Sequence, residues 1–170
     1  VVFPGAPGII IGFNDYIGWG VTNGSRDVKD WYKIKFQDKS RDMYAYDGGW
    51  KATTKRIEEI KVRGSKTVYD TIIYTHHGPV SYDRNFGITN GKVGYAMKWA
   101  GHMPSNNQQT LLELNAAKNY EDYKKALVHF SSPAQNFVFA STSGDIALWV
   151  QGKFANKWKE QGKFLMDGAN

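Results

Sequence analysis

The fold is decided by residues 7–23, which read PGIIIGFNDYIGWGVTN. In this stretch two short apolar runs, residues 8–13 and residues 17–22, flank the pair Asn14 and Asp15. Asparagine and aspartate favour turns because their side chains hydrogen-bond to the main chain two residues further on. We therefore predict a β-hairpin, with residues 8–13 as a buried strand and residues 17–22 as its partner.

Further short apolar segments, punctuated by glycine, extend the strand pattern through the first half of the chain. Residues 30–36 have a period-two pattern, which predicts a half-exposed strand. Residues 47–49 read as a turn. The pair Asn90 and Gly91 signals another turn, which we expect to precede a strand over residues 93–99.

Residues 55–62 have two interpretations. The spacing of Ile57 and Ile60 suits a helix. The β-branched side chains and the turn residues at 63–66 instead favour a hairpin with residues 67–74. We favour the hairpin and keep the helix as the alternative.

Helical patterns occur only in the second half of the chain. Asn119 is a good helix N-cap, and four apolar side chains follow it at spacings of three, four and three, namely Tyr120, Tyr123, Leu127 and Phe130. We expect Pro133 to end this helix, and a shorter helix over residues 111–117 to precede it. Residues 136–140 and 146–150 then read as a hairpin joined through residues 142–145. The pattern as a whole predicts a sheet-rich α+β fold, with residues 1–170 as a single domain.

The composition is that of a globular protein, since 41% of the 170 residues are hydrophobic and 22% are charged. The chain has no cysteine, which excludes disulfides, thiolate metal sites and a cysteine nucleophile. No apolar run approaches 18 residues, so we expect no membrane span. The net charge is +6, but the lysines are interspersed with acids, so we expect no nucleic-acid partner.

Two sets of residues could hold a metal ion. His76 and His77 are adjacent, and on a strand they would point to opposite faces, so we expect no shared metal and one ring packed inside. Asp27 and Asp30, with the carbonyl of Lys29 between them, place hard oxygen ligands close together, as a calcium site requires. We keep ordinary solvated aspartates as the alternative.

Several motifs, in order along the chain, resemble the β-chain of the penicillin acylase family of N-terminal nucleophile hydrolases. They span about residues 5–155. They are Gly12-Phe13-Asn14, Trp19-Gly20-Val21-Thr22, Asp27-Val28-Lys29-Asp30, His77-Gly78-Pro79-Val80, residues 112–117, residues 133–140 and Gly144-Asp145-Ile146. The resemblance implies a partial version of the four-layer αββα sandwich of that family.

The resemblance also implies a mechanism and roles for residues. In this family an N-terminal serine attacks the amide carbonyl and its own α-amine acts as the base. The oxyanion is held by a main-chain N–H, which matches Asn23, and by an asparagine side chain, which matches Asn136. Asp27, Lys29 and Asp30 match calcium ligands. Ile11 and Val21 match positions that line the acyl pocket, although core packing explains both equally well. A family arginine aligns near Lys157, which lacks the planar guanidinium.

The chain departs from the family pattern at its start, because Val1 has no nucleophilic atom and there is no initiator methionine. We expect an internal piece of a longer β-chain, inactive alone, whose partners are the acylase α-chain, the rest of the β-chain and a small N-acyl amide. The parent would be periplasmic or extracellular. Its acyl group, from a penicillin, a cephalosporin or an acyl-homoserine lactone, stays open. The alternative is a non-catalytic β-rich module that binds carbohydrate or another ligand through its aromatic residues.

Overall fold

The structure, a computed structural model, describes residues 1–82 and 91–170 and divides the chain into two units. Unit 1 contains Val1–Val28 and Met103–Asn156, and unit 2 contains Lys29–His102 and Lys157–Asn170. The single domain expected over residues 1–170 stays a prediction. The turn expected at Asn90 and Gly91 lies partly outside the described residues.

Strands outnumber helices in the described residues, which confirms the sheet-rich α+β prediction. The elements in chain order are β1 (Gly12–Phe13), β2 (Ile17–Asn23), β3 (Lys29–Lys35), β4 (Met43–Tyr46), β5 (Gly49–Ala52), β6 (Thr54–Ile60), β7 (Val68–Thr75), β8 (Gly78–Tyr82), β9 (Val93–Trp99), α1 (Asn107–Ala116), α2 (Tyr120–Leu127), β10 (Gln135–Ser141), β11 (Ile146–Gln151) and β12 (Met166–Asp167). No helix in the described part of the chain has the length and apolar character to cross a bilayer.

Unit 1 is built on a four-stranded antiparallel sheet with the order β1-β2-β10-β11. Both predicted hairpins, β1–β2 and β10–β11, are confirmed. The core combines alternate side chains of β2 and β10 with side chains of the two helices and of the residue that follows α1, namely Ile17, Trp19, Leu114, Ala117, Tyr123, Ala126, Leu127, Phe137 and Phe139. The buried Tyr123 hydroxyl donates to the carbonyl of Phe137 at 2.8 Å.

Helix α2 begins as predicted, because the side chain of Asn119 accepts a hydrogen bond from the N–H of Asp122. It ends at Leu127, three residues before the predicted last apolar position, Phe130. Helix α1 begins four residues earlier than the predicted residue 111. The side chain of Asn107, the first residue of α1, accepts a hydrogen bond from the N–H of Ser131 at 2.9 Å. This bond connects the first turn of α1 to the segment that leads into β10.

The prediction of a buried strand over residues 8–13 is wrong, because only Gly12–Phe13 forms a strand. The side chain of Asn115 bonds to both main-chain groups of Ile9, accepting from the N–H at 2.7 Å and donating to the carbonyl at 2.8 Å. These bonds replace a strand ladder. The expected burial is also absent, since Ile9 is 40% exposed and Phe13 is 83% exposed.

Asn14 fixes the turn of this hairpin against the end of α1. Its side-chain oxygen accepts from the N–H groups of Tyr16 and Ile17, both at 2.9 Å. Its side-chain nitrogen donates to the carbonyls of Asn115 and Ala117. The two asparagines together hold both sides of the short strand β1 against the end of α1.

Unit 2 contains a six-stranded sheet with the order β12-β3-β9-β8-β7-β6, and the separate pair β4–β5. Strand β3 alternates between buried and exposed side chains, as predicted for residues 30–36. The β6–β7 ladder confirms the predicted hairpin, so the helical alternative for residues 55–62 is wrong. The core of this unit contains Tyr32, Ile34, Phe36, Tyr44, Ile73, Val80 and Ala96.

His76 and His77 lie in the turn between β7 and β8, and their ring centroids are 3.7 Å apart. The prediction that they point to opposite faces is therefore wrong, since a turn does not impose strand alternation. The prediction of one packed ring is confirmed. His77 is 6% exposed, stacks on Tyr32 and contacts the carbonyl of Gly168 through Nε2 at 3.1 Å.

Candidate active site

The two residues predicted to form the oxyanion hole lie side by side in unit 1. Strand β10 pairs antiparallel with β2, with Asn136 opposite Thr22 and Gln135 opposite Asn23. Alternation along β10 directs Phe137 and Phe139 into the helix-covered core. Asn136 is therefore on the opposite face of the sheet, where it is half-buried. The structure thus brings Asn23 and Asn136 together at one end of the β2–β10 ladder.

The pattern of ladder bonds gives the direction of the Asn23 N–H group. The next residue, Gly24, donates its N–H to the carbonyl of Ala134 at 3.1 Å. In an antiparallel pair, residues that bond to the partner strand alternate with residues whose N–H and C=O both point away from it. We infer that Asn23, adjacent to Gly24, directs both of its main-chain groups away from β10.

The side chain of Asn136 reaches that same side of β2. Its Nδ2 donates to the carbonyl of Asn23 at 3.1 Å and to the Thr22 hydroxyl oxygen at 3.2 Å. Because the N–H and C=O of an extended residue point to one side, the Asn23 N–H is expected on the same side of β2 as the Asn136 amide. The Asn136 amide is thus already hydrogen-bonded in the folded chain, since Asn23 and Thr22 both accept from it.

Thr22 is the site residue that the sequence reasoning missed. Its hydroxyl lies directly across the ladder from Asn136 and accepts one N–H of the amide. The sequence did contain a clue. In a strand, residues 19 and 22 point to opposite faces, so Thr22 lies on the face opposite to the buried Trp19. A pairing register between β2 and β10 was needed to recognise it.

Close main-chain packing fixes this end of the ladder. A Cβ atom at Gly24 would lie 2.9 Å from the carbonyl oxygen of Ala134, and one at Gly152 would lie 2.8 Å from the Ala134 Cβ. Ala134 is buried between the two glycines and immediately precedes β10. The position of Asn136 relative to Asn23 therefore depends on glycine at 24 and 152.

The two predicted acyl-pocket residues occupy different surroundings within unit 1. Val21 lies opposite Phe137 on the helix-covered face of the sheet and packs against the core. Ile11 lies just before β1, is 36% exposed, and its carbonyl accepts from the main-chain nitrogen of Val1 at 2.6 Å. Their role in an acyl pocket stays a prediction.

The predicted calcium ligands include one strongly buried carboxylate. Asp30 is 6% exposed in β3, and its Oδ1 accepts from Nζ of Lys157 at 2.7 Å. A Cβ atom at Gly162 would lie 1.9 Å from the same oxygen, so this carboxylate is tightly enclosed. Lys29 is exposed at the start of β3, and Asp27 is exposed in unit 1. In the described residues no group of three or more His, Cys, Asp or Glu side chains could hold a metal ion.

Comparison with known proteins gives one consistent family. The model of the penicillin amidase family matches residues 1–170. An acyl-homoserine lactone acylase, QuiP of Pseudomonas fluorescens, is 26% identical over 159 residues, which is 93% of this chain and 20% of that protein. Penicillin G acylase of Escherichia coli is 23% identical over 160 residues, which is 89% of this chain and 17% of that protein.

A solved structure agrees with these relatives. The structure of the thermostable penicillin G acylase from Alcaligenes faecalis superposes on this chain with a TM-score of 0.78 and 26% sequence identity. The match covers 96% of this chain and 29% of the acylase chain. The chain spans about one fifth of the length of the curated relatives that it matches. Because the family model extends over every residue, the chain belongs to the penicillin amidase family.

Proposed function

We propose that the protein containing this chain is an amide hydrolase that cleaves the acyl side chain from a β-lactam or a related N-acyl amide. The observation that carries the proposal is the convergence of the Asn136 amide with the main chain of Asn23 in a member of the penicillin amidase family. Two N–H donors on rigid paired strands are the arrangement that stabilises an oxyanion.

In the proposed reaction, a serine outside residues 1–170 supplies the nucleophile. Its hydroxyl oxygen bonds to the amide carbon while its free α-amine accepts the hydroxyl proton. The carbonyl oxygen becomes an oxyanion, which accepts hydrogen bonds from the Asn23 N–H and the Asn136 Nδ2. Collapse breaks the C–N bond, the amine leaves with the proton, and water then hydrolyses the acyl-serine. We propose that this chain is inactive by itself. The active enzyme would also contain an α-chain and the rest of the β-chain, and it would be located in the periplasm or outside the cell.

Asn136 must exchange one of its present bonds to act in this way. Its amide nitrogen carries two hydrogens, and the acceptors within reach are the Thr22 hydroxyl and the Asn23 carbonyl. An exposed neutral hydrogen bond has a small net free energy, about 0.5–1.5 kcal/mol. A developing oxyanion is a stronger acceptor than a hydroxyl. The bond to Thr22 therefore orients the amide, and it can be exchanged for a stronger bond to the oxyanion.

Substitution of Asn136 in the full protein tests the proposal. We expect Asn136→Ala to lower kcat by roughly 10²–10³, or about 2.7–4 kcal/mol, because one oxyanion donor is lost. KM for an N-acyl amide should change much less, because the donor acts on charge that develops in the transition state. The matched control is Asn156→Ala, which removes an exposed amide from unit 1 and should leave kcat unchanged. Wild-type turnover in Asn136→Ala would remove the support for this site.

We also propose that the Lys29 carbonyl and the Asp30 carboxylate, both in unit 2, are calcium ligands, since carboxylate and carbonyl oxygens are the ligands that calcium prefers. In this structure the Lys157 ammonium donates a hydrogen bond to Asp30 Oδ1. Like charges at one oxygen repel, so calcium must displace Lys157, and we expect weak binding.

Calorimetric titration of the full protein with Ca²⁺ tests this site. Lys157→Met should bind Ca²⁺ at least about tenfold more tightly than the wild type, because the competing charge is gone. It should also be destabilised by about 3–5 kcal/mol without calcium, because the buried Asp30 loses its partner. The control Lys159→Met removes an exposed lysine and should change neither property. Equal affinity in the wild type and in Lys157→Met would contradict the assignment.

A further inference from the structure

A cavity in unit 2 has no part in the proposed amide hydrolysis. Its volume is about 380 Å³, and its lining comprises Trp31, Tyr82, Tyr95, Gly162, Lys163, Phe164 and Leu165. Small-molecule sites have volumes of roughly 300–1,000 Å³ and are mainly apolar with a few polar groups. The cavity is at the lower end of that range, so it suits a ligand of one or two rings.

Aromatic rings form most of the wall. The centroids of Trp31 and Tyr82 are 5.0 Å apart with an interplanar angle of 43°. Tyr95 lies opposite Tyr82 on the β8–β9 ladder, so these rings are held on paired strands. Phe164 at the edge is 77% exposed. Rings placed in this way offer faces and edges to a planar aromatic ligand.

The described lining residues carry a net positive charge. Lys163 is the only charged residue among the described lining residues. The ammonium of Lys29 lies 5.8 Å from the Trp31 ring centroid. Lys163 is 3.6 Å from Glu160, but both side chains are more than half exposed, and exposed pairs of this kind are weakly held. Lys163 can therefore turn to an anion in the cavity.

The positive charge extends along the same face of β3. Lys33 is two residues from Trp31, so the two side chains share a face. Lys33 and Lys35 line an adjoining cavity of about 570 Å³, which shares Leu165 with the first and also contains the carboxylate of Asp167. Among the residues that the structure describes, the lining of the first cavity includes Lys163 and no acid, so the first cavity is the better site for an anion.

From this geometry we propose that unit 2 binds a small planar aromatic carboxylate. Its ring would pack on Trp31 and Tyr82, and its carboxylate would accept from the Lys163 ammonium. A neutral sugar fits less well, because the lining offers few groups that could bond several hydroxyls. A nucleic-acid strand fits less well, because strand binding needs successive stacking platforms along a groove. The proposal does not rest on the amide-hydrolase function.

The test is calorimetric titration of the full protein with 2-naphthoate. Trp31→Leu should weaken binding by roughly 5- to 100-fold, the loss expected for one stacked ring. Lys163→Gln should weaken it by roughly two- to fivefold at low salt, as for one exposed charge pair. The matched control Lys66→Gln removes an exposed lysine of the same unit and should have no effect. Tyr82→Leu serves as the second aromatic variant if Trp31→Leu does not fold.

Two further measurements separate this site from others. Asn136→Ala should bind 2-naphthoate as the wild type does, because Asn136 belongs to unit 1. The neutral amide 2-naphthamide should bind more weakly than 2-naphthoate. Unchanged affinity in both Trp31→Leu and Tyr82→Leu would overturn the site. Equal affinity for the amide and the carboxylate would overturn the assignment of an anionic ligand.

Discussion

The buried ring of His77 makes one residue sensitive to acid. Burial lowers the pKa of His77 to about 4, from an ordinary value near 6.5. Between these values the unfolded chain binds a proton that the folded chain does not, so stability falls as the pH decreases from about 6.5 to about 4. The free energy of unfolding should decrease by on the order of 3 kcal/mol over this window.

Urea unfolding between pH 4 and pH 7.5 measures this effect. In His77→Phe the ring can still stack on Tyr32, as His77 does, but it carries no titratable group. The slope of stability against pH should therefore flatten in this variant. The control is His129→Phe, which removes a histidine that is about one third exposed. An unchanged slope in His77→Phe would contradict the prediction.

At the residue scale, the sequence predicted a role for Asn23 and Asn136 but not the bonds that they make. The identification came from motif resemblance, since a lone asparagine at the start of a strand is not distinctive. The bond from Asn136 to Thr22 joins residues 114 positions apart. Its existence depends on the register of β2 and β10, which no local pattern determines. The Lys157–Asp30 pair, 127 positions apart, was hidden for the same reason.

At the scale of elements, the end of β2 should tolerate no side chain at Gly24. A Cβ atom there would lie 2.9 Å from the Ala134 carbonyl oxygen, so Gly24→Ala must separate β2 from β10. Asn23 then shifts relative to Asn136. We expect kcat in the full protein to fall by roughly 10-fold or more, because misplacement of about 1 Å can cost up to 10²-fold.

A control lies on the same strand. A Cβ atom at Gly18 has its nearest neighbour at 3.8 Å, an ordinary contact, so Gly18→Ala should retain kcat. Steady-state kinetics with an N-acyl amide compare the two variants, and circular dichroism confirms that each is folded. Equal kcat values for Gly24→Ala and Gly18→Ala would show that this end of the ladder does not position the site.

Local signals predicted most elements. The N-cap of α2 and the turn residues between β6 and β7 were visible in the sequence because each acts within a few residues. The segment 8–13 was mispredicted because its main chain is bonded to Asn115, which is 106 residues from Ile9. An apolar run bounded by glycine predicts a strand. Only the tertiary contact with Asn115 shows that side-chain hydrogen bonds take the place of a strand ladder at Ile9.

At the scale of the whole molecule, the chain passes between the two units three times, after Val28, His102 and Asn156. Neither unit is a contiguous segment: the core of unit 1 joins β2 to residues 114–139, and Met166 from the second segment of unit 2 packs against the core of that unit. We therefore expect one cooperative unfolding transition, in keeping with the predicted single domain. Leu114→Ala in the core of unit 1 and Ile34→Ala in the core of unit 2 should each destabilise it by about 2–5 kcal/mol.

Calorimetry and tryptophan fluorescence measure this transition. Both variants should lower the same midpoint, whichever unit carries the substitution. The exposed variant Asn156→Ala should leave the midpoint unchanged. Two separable transitions, each responding to only one of the core substitutions, would contradict the prediction of a single domain.

The contact between Asn115 and Ile9 has a consequence for which sequences this segment can accept. A side-chain amide carries a donor and an acceptor like those of a peptide group, so Asn115 substitutes for a neighbouring strand one residue long. The bonds reach only the backbone of residue 9, so they hold for almost any amino acid there except proline, which lacks the N–H. At position 115 an aspartate would lose the donor, and a glutamine would be one methylene too long. The hydrogen bonds that fix residue 9 thus constrain the amino acid at position 115, and they leave the side chain at position 9 free to vary.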